Sequence, residues 1–216
     1  MMDCCQPEVI QKRFDDRYVQ RKLDRYRKKG PKQTTRLLIE AITEVLAPGM
    51  TLLDIGGGIG DIDHALIEAG VAHATNVEAS EAYLEACKVE AHRLGHADRM
   101  NYVVDDFVEA SSELDEADIV TLDRVICCYP FMQALVIQSL AKARQLYGIV
   151  VPLDRWWVKA FTALYYNLRF VLQGIEFRVF VHPIDAIESV IEAENFNRIF
   201  RKEKSGWYIA LYESKA

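Results

Sequence analysis

The chain has 216 residues, 50% of them hydrophobic and 27% charged, with a formal net charge of −6. That length and apolar share suit one soluble α/β domain with a sizeable core, and the mild acidity argues against a dedicated nucleic-acid binder. The acidic start around Asp3 and Glu8 has no apolar run of the secretory kind, and the five cysteines are odd in number with two adjacent pairs (Cys4-Cys5, Cys127-Cys128), which suits a reducing cytoplasm better than a disulfide framework.

The first element in chain order is a basic block. Residues 12–32 hold ten Lys or Arg against three Asp, about +7, which leaves about −13 for the rest of the chain. Phe14, Tyr18, Leu23 and Tyr26 recur at near-helical spacing, which predicts an amphipathic helix ending near Gly30-Pro31. Next, the apolar stretch Thr51-Leu-Leu-Asp-Ile55 predicts a strand that runs into four glycines in five positions, Gly56, Gly57, Gly58 and Gly60, and then into a helix over 61–69 closed by Gly70. A second strand over 74–78 ends in Glu78. Ser80 is a good N-cap for a helix over 81–94 terminated by Gly95. Strands follow over 100–104 and 117–122, then a helix over 131–146 after Pro130 and a fifth strand over 147–151. A helix over 184–193 follows Pro183, and 197–203 with 207–213 alternate around Ser205-Gly206 as a closing hairpin. No internal repeat or low-complexity linker interrupts this order.

Glycine spacing narrows the ligand. A backbone that bends sharply against a ligand has no room for Cβ, and the helix after the turn aims its free N–H groups at whatever lies above. Dinucleotide sites want G-x-G-x-x-G; here the third glycine comes one residue early and Asp61 follows it, an acid that would repel a pyrophosphate. S-adenosylmethionine carries no phosphate and has a sulfonium cation that favours nearby acids. The stretch Leu53-Asp54-Ile55-Gly56-Gly57-Gly58-Ile59-Gly60 resembles the first motif of the class I S-adenosylmethionine-dependent methyltransferases at every required position. The resemblance covers about residue 35 to the end. It implies a Rossmann-like, seven-stranded sheet, mostly parallel with a C-terminal antiparallel hairpin and helices on both faces.

The same resemblance implies where S-adenosylmethionine sits. Asp54, Gly56, Gly57 and Gly58 belong to the loop; Glu78, with Ala79 beside it, ends the second strand and takes the ribose hydroxyls. At the third strand end Asp105, Asp106 and Phe107 meet the adenine; alignment favours Asp106, although the position that is often glycine in the family is Asp105 here, which leaves the choice within the pair open. Asp123 and Arg124 lie beside the methionine part. Candidates for contact with the acceptor are Arg124, Cys127, Cys128, Tyr129 and His182, with Asp154 and Arg155 in a later loop. Neither Cys4-Cys5 nor the i, i+4 pair His92 and His96 supplies enough ligands for a metal, and none is expected.

Two segments go beyond the sheet. Residues 1–34 form a basic helical cap ahead of the methyltransferase domain over 35–216, read as a lid that brings cations to an anionic substrate or as a solvated helix docked by its aromatic stripe. Residues 156–173, within an insertion at about 155–176, are strongly apolar and aromatic. Lys159 and Arg169 argue against a transmembrane helix, leaving a cap over an apolar pocket, burial against the sheet or in a homodimer, or peripheral membrane contact. The expected function is methyl transfer to a small apolar or aromatic acceptor by in-line displacement. The basic aromatic start and the Tyr129-Pro130 loop are similar to those of magnesium-protoporphyrin methyltransferases. The alternatives are a nicotinamide-dependent oxidoreductase and a non-catalytic protein that binds S-adenosylmethionine.

Overall fold

The computed structural model describes residues 7–215, so Cys4-Cys5 lies outside the described residues. Three helices come first: α1 (Pro7–Arg13), α2 (Asp16–Lys29) and α3 (Gln33–Val45). The alternating core follows as β1 (Thr51–Ile55), α4 (Asp61–Ala69), β2 (His73–Val77), α5 (Glu81–Leu94), β3 (Met100–Val103), the short α6 (Phe107–Ala110), β4 (Ala117–Asp123), α7 (Met132–Leu140) and β5 (Ala143–Pro152). Then come α8 (Trp156–Phe161), a π-helical stretch (Thr162–Asn167) and α9 (Leu168–Leu172), followed by α10 (Ile184–Ala193), β6 (Phe196–Lys204) and β7 (Trp207–Ser214).

The seven strands form one sheet in the order β3-β2-β1-β4-β5-β7-β6, parallel from β3 to β5 and antiparallel through β7 and β6. Consecutive strands from β1 to β3 step one way and β4 steps the other, so the chain reverses direction between β1 and β4 and leaves a crevice at their carboxyl ends. Both faces of the sheet are covered, which is why its strands read as nearly continuous apolar runs. Leu53, Val120, Leu122, Tyr147, Ile149 and Tyr212 pack on one side against α7 and α10, and Leu52, Ile119, Val150, Ile209 and Leu211 pack on the other against α3, α4 and α5. No helix among the described residues is long and apolar enough to cross a membrane.

Capping chemistry explains the element ends. Ser80 Oγ accepts the Tyr83 N–H and opens α5, and Gly95, in the left-handed region, closes it. The hairpin turns on Ser205 and Gly206, both at positive φ (51° and 81°), the backbone of a tight two-residue turn whose twist matches its strands.

Two expectations need correction. The helix expected over 131–146 stops at Leu140, and β5 starts at Ala143. The Leu135, Leu140, Leu146 spacing mixes two elements: Leu135 and Leu140 are helical, whereas Leu146 is a strand residue paired with Ile119. Sheet pairing overrides the apparent period. The single N-terminal helix is in fact two, because Asp15 accepts the Tyr18 N–H at 2.7 Å and starts a new helix at Asp16. The buried anchors of α2 are Val19 and Leu23, which pack with Ile59 of the glycine loop.

Helix α3 crosses the sheet where Leu38 lies over Gly148, at which a Cβ would come within 3.0 Å of the leucine methyl. Leu38→Ala removes a fully buried side chain from that contact and should cost about 2–5 kcal/mol of stability, read from the midpoint of urea denaturation.

Candidate functional site

A cavity of about 260 Å³ opens at the carboxyl ends of β1, β2 and β4, where the sheet order reverses. Its floor is the glycine loop. The Gly56 N–H donates to the Val77 carbonyl at 2.7 Å and the Gly60 N–H to the Gly57 carbonyl at 3.0 Å, which curls the loop tightly over the strand ends. Gly57 has no spare volume: a Cβ there would come within 2.4 Å of Asn76 Nδ2 and 2.8 Å of Asp54 Oδ2. Gly60 combines φ of 82° with a Cβ position 2.8 Å from Cys87 Sγ, so it is fixed both by conformation and by space.

Beneath the loop runs a buried polar row. Asp54 sits opposite Asn76 on β2 and Thr121 on β4. Thr121 Oγ1 donates to Asp54 Oδ1 at 2.6 Å, and Asn76 Nδ2 donates to Asp63 Oδ2 at 2.8 Å. Burial raises the Asp54 carboxyl well above its ordinary range, and the neighbouring Asp63 raises it further; burial also pushes Asp63 up to about 7. Asp54 thus contributes to the cavity wall while its carboxyl serves the floor.

Of the other residues assigned to S-adenosylmethionine from sequence, Gly56, Gly57, Gly58, Glu78, Ala79, Asp105, Phe107 and Asp123 all line the cavity. Glu78 accepts the N–H groups of Gly58 at 3.0 Å and Ser80 at 2.9 Å, which ties the end of β2 to the loop. Burial pushes its carboxyl up to about 7 despite those two donors. Asp106 is the exception. Its Oδ1 accepts the Val108 N–H at 2.8 Å as the cap of α6 and its Oδ2 accepts the Tyr129 hydroxyl at 2.5 Å, so Asp105 is the member of the pair on the wall.

Among the acceptor-side candidates, Arg124, Cys128 and Tyr129 line the cavity, whereas Cys127 and His182 do not. The Cys127 thiol is buried against the Arg124 carbonyl at 3.3 Å. His182 Nε2 lies 2.8 Å from the Tyr129 carbonyl, so that nitrogen carries the hydrogen; burial holds the ring below its usual pKa. Its ring borders a shallow outer depression with Pro130 and Phe131 instead. Arg155 is an exposed residue paired with Glu203 at 3.4 Å. Among the described residues no group of three or more His, Cys, Asp or Glu converges as a metal site.

Several wall residues carried no strong sequence signal. Helix α2 contributes Tyr18, Lys22, Arg25 and Tyr26, and the linker after it contributes Lys32. Their spacing at i, i+4, i+7 and i+8 marks one helical face of the basic block, which the sequence offered as a whole without singling out Lys22 or Arg25. Phe177 reaches the wall from a loop beyond α9, where no motif announces it. Asp61, the acid that follows the glycine loop and opposes a pyrophosphate, also lines the cavity. Its Oδ1 and Asp123 Oδ1 are buried without a hydrogen-bond partner. Burial and the Asp123 charge push Asp61 up to about 6. Two under-satisfied carboxylates beside each other suit a cationic guest and oppose a diphosphate. Asp123 Oδ2 meanwhile accepts Thr35 Oγ1 at 2.6 Å and Arg124 at 2.9 Å. Across from them burial, reinforced by Arg124 and Lys22, pushes Lys32 down to about 7.

These shifts set a pH dependence of folding. Glu78, Asp63 and Asp61 bind protons more tightly folded than unfolded, so their stabilising contribution is complete at about pH 4 and is lost as pH rises to about 7. His64, pushed down to about 4 by burial, works the other way below its ordinary 6.5, as do the His96 and His182 rings, while Asp54 reinforces the three acids. Lys32 regains stability above pH 7. The ligand-free chain should therefore melt higher at about pH 5.5 than at about pH 7 by calorimetry, and Glu78→Gln should shrink the difference.

No family model matches the chain. It is 33% identical over 90 residues to the ubiquinone/menaquinone biosynthesis C-methyltransferase of Roseobacter denitrificans, covering 40% of this chain and 36% of that protein. It is 26% identical over 188 residues to the ribosomal protein L11 methyltransferase of Leuconostoc citreum, covering 86% of this chain and 54% of that protein. The chain thus spans between a third and about half the length of these curated relatives. Among solved structures, the magnesium protoporphyrin IX methyltransferase of Synechocystis PCC 6803 with bound SAH superposes with a TM-score of 0.71 at 15% identity, over 97% of this chain and all of that one. An O-methyltransferase family protein from Burkholderia thailandensis gives 0.71 at 14% identity, over 96% of this chain and 64% of that one.

Proposed function

We propose that this chain, built on the class I S-adenosylmethionine-dependent methyltransferase fold, binds S-adenosylmethionine in the crevice between β1 and β4 and transfers its methyl group to a small apolar or aromatic acceptor. The observation that carries the reading is the pair of buried, partnerless carboxylate oxygens on Asp61 and Asp123 beside a bare glycine loop, with Glu78 at the neighbouring strand end. Those acids fit the ammonium and sulfonium of the methionine end, the loop leaves room for close main-chain approach, and Glu78 fits the ribose diol. Asp105 and Phe107 complete an adenine pocket at the third strand end. When bound, S-adenosylmethionine supplies an electrophilic methyl group for in-line displacement.

The chain's own contribution is orientation, exclusion of water and proton handling. Phe14, Tyr18, Tyr83 and Phe177 form an apolar cover, with ring centroids of Phe14 to Tyr83 at 5.3 Å and Phe14 to Phe177 at 5.5 Å. Holding an acceptor in line under such a cover is worth on the order of 7–11 kcal/mol of barrier. Lys22, Arg25 and Lys32 bring positive charge to the acceptor side of the wall and favour an acceptor with an anionic group. Lys32, poised at about 7, is matched to remove a proton from an acceptor hydroxyl. Neutralising Asp61 and Asp123 with a bound ammonium would remove two of the charges that hold the Lys32 proton.

Calorimetric titration with S-adenosylmethionine tests the cofactor site: Glu78→Ala should weaken binding by about 1–3 kcal/mol. Because hydroxyl donors favour the ionised carboxyl, binding to the wild-type chain near pH 6.5 should release protons, seen as a heat that changes with buffer; Glu78→Gln should reduce that release. No heat with S-adenosylmethionine or its demethylated product would overturn the assignment. Acceptors are found by incubating the protein with methyl-labelled S-adenosylmethionine and a fractionated small-molecule extract. With a hydroxyl acceptor in hand, Lys32→Gln should lower kcat by about 10²–10⁴-fold and leave cofactor affinity within a few-fold.

A further inference from the structure

The stretch from Trp156 to Leu172 contributes nothing to the cavity wall. Only Val158, Thr162 and Phe170 of its side chains are buried, while Trp156, Leu164 and Leu172 are 80%, 69% and 79% exposed and Phe161, Tyr165 and Leu168 are about half exposed. Solvation of single apolar side chains is ordinary, but a contiguous patch of this kind marks an interaction surface. The π-helical turn gives it a defined shape. Its wide pitch brings Phe161 against both Tyr165 (5.0 Å, stacked) and Tyr166 (5.5 Å, edge-on), so the rings form a rigid cluster before any partner arrives.

Charge identifies the partner. Between Asp154 and Glu176 there is no acid, and the exposed Arg155, Lys159 and Arg169 make the segment cationic in a chain whose net charge is −6. At its far end Lys12 Nζ donates to the Gly174 carbonyl at 2.7 Å, which adds a fourth cation. Glu203 offsets only Arg155, at 3.4 Å, and is shared with Arg201. A second copy of the chain would bring Lys159 and Arg169 against their own like with no carboxylate in the segment to answer them. An anionic lipid surface answers all of them at once, and it accepts Trp and Tyr at the headgroup boundary with the Leu and Phe side chains below.

We infer that the segment from Trp156 to Leu172 docks flat on an anionic lipid surface, its exposed Trp and Leu side chains entering the acyl boundary and Lys159 and Arg169 remaining with the headgroups. Long cationic side chains reach back to that level without leaving the helix. The segment is too short and too charged to span the bilayer. Its buried Phe170 packs against Phe177 of the cavity wall at 5.7 Å and beneath the Arg13 guanidinium at 4.9 Å, so the docked surface is continuous with the cover of the cavity.

The full chain is tested against vesicles of mixed phosphatidylglycerol and phosphatidylcholine and against phosphatidylcholine alone, at low ionic strength, by cosedimentation and by tryptophan emission. Binding to the anionic vesicles with a blue shift is expected. Lys159→Gln with Arg169→Gln should weaken partitioning by about 30-fold, roughly five-fold for each cation. Trp156→Ser with Leu172→Ser should reduce the blue shift, Trp157 remaining as a reporter; both pairs alter exposed side chains, and unchanged circular dichroism checks the fold. Equal binding to both vesicle types, no binding to either, or undiminished binding of the Lys159 and Arg169 variant would each overturn the inference. So would a wild-type dimer in sedimentation velocity that the Trp156 and Leu172 variant dissolves, since a second copy would then own the surface. None of these outcomes bears on cofactor binding, which titration reads separately.

Discussion

The candidate site rests on one buried polar row. Asp54, Thr121 and Asn76 stand side by side on three adjacent parallel strands, and the row leaves no space above it for anything larger than a hydrogen at Gly57. A loop that must sit directly on hydrogen-bonded side chains cannot drift, so the position of its N–H groups follows from strand register rather than from the loop's own preferences. Burial raises the carboxyls of both neighbouring acids, Asp54 and Asp63, and each accepts one hydrogen bond within the row, Asp54 from Thr121 and Asp63 from Asn76, while Asp63 Oδ1 is left without a partner. The floor is therefore rigid before any guest enters, which is the condition for holding a reactive centre in line.

Above that floor the walls divide by charge. The strand ends supply acids, at Glu78, Asp105 and Asp123, while α2 and the linker to α3 supply Lys22, Arg25 and Lys32. One side suits a cation and the other an anion. Ion pairing also joins α2 to the body of the domain: the buried Glu90 on α5 accepts Arg27 at 2.8 Å as well as Arg93.

How far this could be read from the sequence depended on where local chemistry decided the structure. The helices at Asp61–Ala69, Glu81–Leu94 and Ile184–Ala193 were legible to the residue because Gly70, Ser80, Gly95 and Pro183 punctuate them. The mostly parallel seven-stranded sheet with its closing hairpin followed from the resemblance that the motif carries. Where tertiary pairing decided, the sequence misled: Leu146 continues an apparent helical spacing yet belongs to a strand, since Ile119 is its partner across the sheet. The choice between Asp105 and Asp106 turned on a cap at Val108 that only the backbone reveals. Lys32 belonged to the basic block but did not stand out within it, because a lysine is indistinguishable in sequence from its solvated neighbours Lys28 and Lys29 until burial and Arg124 are placed beside it.

Arg124 itself adopts the left-handed backbone region at φ of 66°, an arrangement that costs a side-chain-bearing residue on the order of 1–2 kcal/mol. It is held there by Thr34 and Thr35 at the start of α3, by Asp123 at the end of β4, and by the Trp207 ring, 4.8 Å from the guanidinium, at the start of β7. Three stretches far apart along the chain thus meet in one strained residue. The entrance works as a mechanical joint: the early helices, the central strand and the final hairpin share a single fastening, and none of the three can shift without loosening the other two.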